Sequence, residues 1–198
     1  MDEPSPRRDD RLRGLALVGA MLALMWVLEA IDAAGAHLDD DGIRPRTAAG
    51  LEGIVFGPFL HASFAHLLSN TIPFAILGAV IALNGLVRVA LVTLVVGLVS
   101  GAGTWLTAAS GTDTIGASGL VFGFAAYLIA RGLFSRRALH LAAGVVVLAV
   151  YGGSLAFSLI PTPGVSWQAH LFGALGGILA ARTLDGVQRR RLAPAAGT

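Results

Sequence analysis

Six apolar runs of roughly 20 residues, each closed by a turn or a charged break, constrain this chain more than any other feature. They are Leu15–Ala34, Phe64–Leu83, Leu86–Leu106, Ser118 to about Phe134, Leu139–Ile160 and Trp167–Leu184. As helices, runs of this length match a hydrocarbon core about 30 Å thick. Only 13% of the residues are charged and 55% are hydrophobic, about half the charge of an ordinary soluble domain. The expected fold is therefore an all-α membrane bundle with the lipid bilayer as its main partner. A six-helix core, residues 15–184, lies between a polar N-terminal tail, 1–14, and a basic C-terminal tail, 185–198. The arginines before Leu15 and the Ala34-Gly35-Ala36 triplet also fit a signal peptide. The length of the run and the topology below favour an uncleaved first helix.

Charge sets the orientation. With the N-terminus in the cytoplasm, twelve of the fourteen arginines fall on the inner side and only Arg44 and Arg46 on the outer. Both termini are then cytoplasmic. The arginines form no extended basic face, so nucleic acid is not an expected partner. There is no cysteine, which excludes disulfides and thiolate chemistry.

In this topology the second, fourth and sixth spans all run from outside to inside. His66, Ser118 and His170 each lie in the first few residues of one of them, so they share one depth. Thirteen residues from Ser118 to Ala130 make roughly 20 Å of helix, placing Ser118 roughly 10 Å below the outer boundary. A polar site there requires a water-filled cavity open to the outside. Ser118, within Gly116-Ala117-Ser118-Gly119, opens its helix, where unpaired N–H groups and the dipole favour developing negative charge. Gly119, Gly123, Ala126 and Ala130 form a small-residue stripe, as do Gly173, Gly177 and Ala181 after His170. Two such stripes let backbones approach closely and bring the Ser118 hydroxyl within reach of the His170 ring. Phe122, one turn below Ser118, is placed to stack on that ring. His66 and Asn70, at i and i+4, present two hydrogen-bond donors on one face, as an oxyanion hole requires. Pro73 frees the Ser69 carbonyl in the same helix.

Rival chemistries find little support. His61, His66 and His170 have no H-E-x-x-H pattern and no adjacent carboxylate, so no metal is expected. Proteolysis by paired carboxyls needs two acids at depth. None occurs between Phe64 and Leu106, and Asp113 is the only one between there and Asp185.

His61-x4-His66-x3-Asn70, Gly116-x-Ser118-Gly119 and Ala169-His170-x2-Gly173, in that order on those spans, resemble the rhomboid family of intramembrane serine proteases. The resemblance covers the six-helix core and implies the minimal form found in bacterial plasma membranes. It implies a Ser118–His170 dyad with no acidic third member and no cofactor, and Trp167–Leu184 indeed contains no acid. By position, Ser118 is similar to the nucleophile and His170 to the general base and then acid. His66, Asn70 and the Ser118 N–H match the oxyanion hole. His61, Gly116, Gly119, Phe122 and Gly173 match supporting positions. The implied substrates are transmembrane segments cleaved near the outer face at small residues. The implied gate is the fifth span with the loop Pro161–Ser166. A catalytically silent relative that binds membrane clients is the alternative; relatives of that kind lack the dyad. The chain departs from the family in its first outer loop, where Gly42-Ile43-Arg44-Pro45-Arg46 replaces the usual Trp-Arg pair.

Overall fold

The computed structural model describes residues 7–135 and 137–192. Among them six long helices are joined by turns: α1 (Arg8–Ile31), α2 (Phe64–Ala82), α3 (Leu86–Thr107), α4 (Ser118–Ser135), α5 (Ala138–Phe157) and α6 (Trp167–Leu192). The described residues contain no strand, only the isolated bridges Ile43 to Thr114 and Thr162 to Val165. Arg136, part of the charge argument, lies outside the described residues, as do the outer parts of both tails, 1–6 and 193–198.

Among the described residues five segments are long and apolar enough to cross a membrane: Arg8–Ala36, Phe64–Ala82, Leu86–Thr107, Ser118–Ser135 and Ala138–Phe157. Helix α6 occupies the place of the expected sixth span, but it runs on past Leu184 to Leu192 and carries Arg182 and Asp185 in its second half. Asp185 is buried and ties three helices together at one end of the bundle. It meets Arg131 of α4 at 3.3 Å and Arg88 of α3 at 3.4 Å. Removing one member of such a buried set strands the others' charge.

Helix α4 is the axis. Of its most apolar stretch 72% is buried, against 11% for α5, which leans on α4 from outside. The core gathers Phe74, Leu77 and Ile81 of α2, Val89, Val92 and Val96 of α3, and Phe124 and Tyr127 of α4. Leu68, Ile72, Leu94, Leu98, Val146 and Val150 point outward instead, an inside-out pattern suited to lipid contact.

Local chemistry sets the ends. Ser63 caps α2 by accepting the His66 N–H at 3.2 Å. Asn84-Gly85 turns the chain into α3 with Gly85 at φ 96°, a conformation that favours glycine. Asp10 of α1 caps α3 by accepting the Leu86 N–H at 3.3 Å. α5 stops at Phe157, three residues before the expected Ile160.

The connection between α1 and α2, expected only as a polar loop, is a chain of short helical turns from Leu38 to Phe59. Arg46 is its anchor. Its guanidinium donates to the Leu106 carbonyl at 3.0 Å, the Ala108 carbonyl at 2.8 Å and the Ser110 hydroxyl at 2.7 Å. A cation at the C-terminus of α3 answers that helix's free carbonyls and its dipole. Trp105 returns the contact by donating to the Thr47 carbonyl at 2.9 Å.

Candidate active site

The segment ahead of α4 is pinned before the helix begins. Gly116 sits at φ 112° and donates its N–H to the Gly57 carbonyl at 2.9 Å. The Ala117 N–H donates to His61 Nε2 at 3.3 Å. A side chain at Gly116 would meet His66 Cε1 at 2.7 Å, His66 Nε2 at 2.9 Å and Asn70 Nδ2 at 3.7 Å. The polar ends of His66 and Asn70 therefore converge on backbone two residues ahead of Ser118. Asn70 is buried, and its amide also donates to the His66 carbonyl at 3.3 Å.

Across from them, His170 Nε2 lies 2.9 Å from Ser118 Oγ. Its Nδ1 lies 3.1 Å from the Ser158 carbonyl oxygen. A carbonyl can only accept, so Nδ1 carries the proton and the Nε2 lone pair faces the serine hydroxyl, which donates. Phe122 stacks on the ring at a centroid distance of 4.1 Å and an interplanar angle of 9°. The imidazole is thus held by a carbonyl, a hydroxyl and an aromatic face, and is 5% exposed.

Two partners were invisible in the sequence. The Ser158 carbonyl follows the last residue of α5, where carbonyls lack intrahelical partners. Every residue has a carbonyl, so no residue type could signal it. Ser100 of α3 donates to the Ala169 carbonyl at 2.9 Å, fastening the turn of α6 that carries His170. A small polar residue on an apolar helix was the only available sign.

The glycine stripes meet as expected. A Cβ at Gly173 would collide with the Gly119 carbonyl oxygen, and one at Gly177 with the Gly123 carbonyl oxygen. Backbone packs on backbone along this seam, which sets the separation of Ser118 and His170.

His61 is 1% exposed and its ring meets the His66 ring edge-on, with centroids 5.1 Å apart. Burial first, and then the neighbouring His66, push its pKa down to about 4, opposed by the Phe59 carbonyl. The neutral ring is the form that accepts the Ala117 N–H. Because the folded value lies below the ordinary 6.5, the unfolded chain takes up the proton first as the pH falls. Stability is complete above about pH 6.5 and is lost toward pH 4, by on the order of 3 kcal/mol in all. The thermal midpoint in detergent, followed by circular dichroism, should fall between pH 7 and 5. His61→Gln should flatten that slope. An equally steep slope in the variant would assign the acid sensitivity elsewhere.

Two cavities adjoin the site. One, of about 350 Å³, opens between α2 and α5 and is lined by Ser69, Asn70, Phe122, Tyr151, Ser154 and Ser158, among others. The other, of about 710 Å³, lies over His66, Thr114 and Ile115.

Comparison with known proteins agrees in one direction. The family model described as Rhomboid domain matches residues 49–185. An uncharacterized protein of Mycobacterium tuberculosis is 44% identical over 179 residues, covering 85% of this chain and 74% of that protein. An uncharacterized protein of Mycobacterium leprae is 42% identical over 210 residues, covering 99% of this chain and 83% of its own length. A Bacillus subtilis protein named "Putative rhomboid protease YdcA" is 26% identical over 165 residues, covering 81% of this chain and 82% of its own.

Proposed function

This chain belongs to the rhomboid family, and from that premise we propose that it is an intramembrane serine endopeptidase with Ser118 as nucleophile and His170 as its base. The observation that carries the reading is the 2.9 Å contact between Ser118 Oγ and a His170 Nε2 whose partner nitrogen is bonded to a carbonyl. A hydroxyl facing an imidazole lone pair is an activated nucleophile. Its oxygen attacks the peptide carbonyl as His170 takes the proton. The resulting oxyanion is met by His66, Asn70 and the Ser118 N–H, the last in the first turn of α4. His170 then protonates the leaving amine, and the peptide C–N bond breaks to leave an acyl-enzyme. Water, losing its proton to His170, hydrolyses the ester and restores the serine.

The reading includes six spans with both ends cytoplasmic, in a bacterial plasma membrane. Substrates are transmembrane segments that unwind near the outer face. The gap between α2 and α5 is their route, since α5 is held chiefly by α4 and has little of its surface buried.

A fluorophosphonate probe tests the dyad without a known substrate. The purified protein in detergent should label, and both Ser118→Ala and His170→Ala should not. Labelling that survives Ser118→Ala would refute the choice of nucleophile. An unlabelled but well-folded wild type that also fails to cleave transmembrane substrates in lipid would point to the client-binding alternative.

A further inference from the structure

The 710 Å³ cavity has a chemical character that the proteolytic reading does not use. Its floor includes His66 and Ile115, and the loop Pro161–Ser166 forms one wall. Two carboxylates line it from different elements, Asp39 on the turn Leu38–Asp41 and Asp113 on the connection into α4. Trp167 lines it as well, and among the described residues no arginine does. The chain contains no lysine at all.

The cations nearby are committed. Arg46 is spent on the carbonyls at the end of α3. Arg44 stands between Asp113, at 3.9 Å, and Asp41, at 4.0 Å, both separations at the limit of an ion pair. Asp39 Oδ1 is shielded from solvent and has no hydrogen-bond partner among the described residues. Burial, and then Asp32, Asp40 and Asp113, push the Asp39 carboxyl above its ordinary pKa. Burial also raises Asp113, with Asp40 and Asp41 adding to it, while Arg44 and the Thr114 N–H oppose the rise. Two carboxylates on one cavity wall, Asp39 with its Oδ1 shielded and Asp113 more open to solvent, gain from a cation held between them, and the neighbouring Trp167 can add to that gain.

We propose that this cavity receives a basic side chain of the substrate, carried on the outer side of the cleaved bond. The inference rests on the proteolytic reading for the word substrate, and on the cavity alone for the charge. His66 belongs both to this cavity and to the group around Gly116, so the two sites lie about a side chain apart. At roughly 3.3 Å per extended residue, the basic residue falls within about three positions of the scissile bond. Outer flanks of transmembrane helices carry few basic residues, so such a requirement would select a small set of membrane proteins. Specificity of this kind works through complementary charge more than through buried area.

The test separates charge recognition from catalysis. Fluorescent transmembrane peptides with a small-residue stretch at the outer end, followed by Arg, Gln or Glu, are titrated into Ser118→Ala protein in phosphatidylcholine vesicles. The Arg peptide should bind about tenfold more tightly than the Gln peptide, and the Glu peptide more weakly still. Asp39→Asn and Asp113→Asn should each shrink the preference for Arg while leaving the Gln peptide's affinity unchanged, a split that general misfolding does not produce. Raising the salt should shrink it as well. Equal affinities for Arg and Gln, or a preference that survives both substitutions, would overturn the inference. Cleavage of the same peptides by wild-type protein is read separately. Its absence, together with absent probe labelling, would remove the proteolytic reading while the binding result still decides the charge preference.

Discussion

Replacing His66 and Asn70 together by alanine is expected to lower kcat by 10³-fold or more while the fold and KM change little. The His66 ring and the Asn70 amide both lie against the backbone just before Ser118, where the proposed mechanism forms its tetrahedral oxyanion. Removing one donor from such a hole typically costs on the order of 10²–10³ in kcat, because the charge it meets exists only in the transition state. The two effects should fall short of a simple product, since the amide of Asn70 also donates to the His66 carbonyl and the groups act as a unit. Single-turnover cleavage in lipid, with kcat and KM separated, checks this. A loss expressed wholly in KM would make the pair substrate-binding residues instead.

Gly173→Ala is expected to silence the dyad through packing alone. The added methyl would fall on the Gly119 carbonyl oxygen, part of a backbone that cannot move aside independently. Helices α4 and α6 must separate, and the 2.9 Å bond between Ser118 and His170 spans that seam. Overpacking of this kind costs about 1–3 kcal/mol, and a bulkier Gly177→Val should cost more. Gly153 of α5 supplies the contrast, since nothing lies within 4 Å of a Cβ there. Gly153→Ala should leave the midpoint unchanged or slightly raised, as helix propensity predicts. Thermal midpoints and probe labelling of the three variants check the argument. A Gly173→Ala protein that labels at the wild-type rate would show that the seam does not hold the dyad.

These cases mark what was legible in advance. The apolar runs were readable because residue type alone reports preference for lipid, and five of them are helices long enough to span. The sixth run, Trp167–Leu184, lies within α6, and the charged residue that closes it, Asp185, is buried between two arginines. Charge reads as solvent exposure until its partners, 54 and 97 residues away in the chain, are known. Arg46 reads from the sequence only as a loop charge, and its bonds to three groups at the end of α3 have no signature in a loop sequence.

The sequence by itself determined the class of fold, the helical positions of Ser118, His170, His66 and Asn70, and the small-residue stripes. All of these follow from local composition and from periods of three and four residues, which are properties of a single helix. Only the tertiary structure decided which nitrogen of His170 faces the serine, because the Ser158 carbonyl that sets the tautomer comes from another helix. It alone also decided that Asp39, Asp113 and Trp167 share one cavity. Backbone carbonyls carry no residue signature, and loops have no period, so contacts made through them emerge only when the helices have packed.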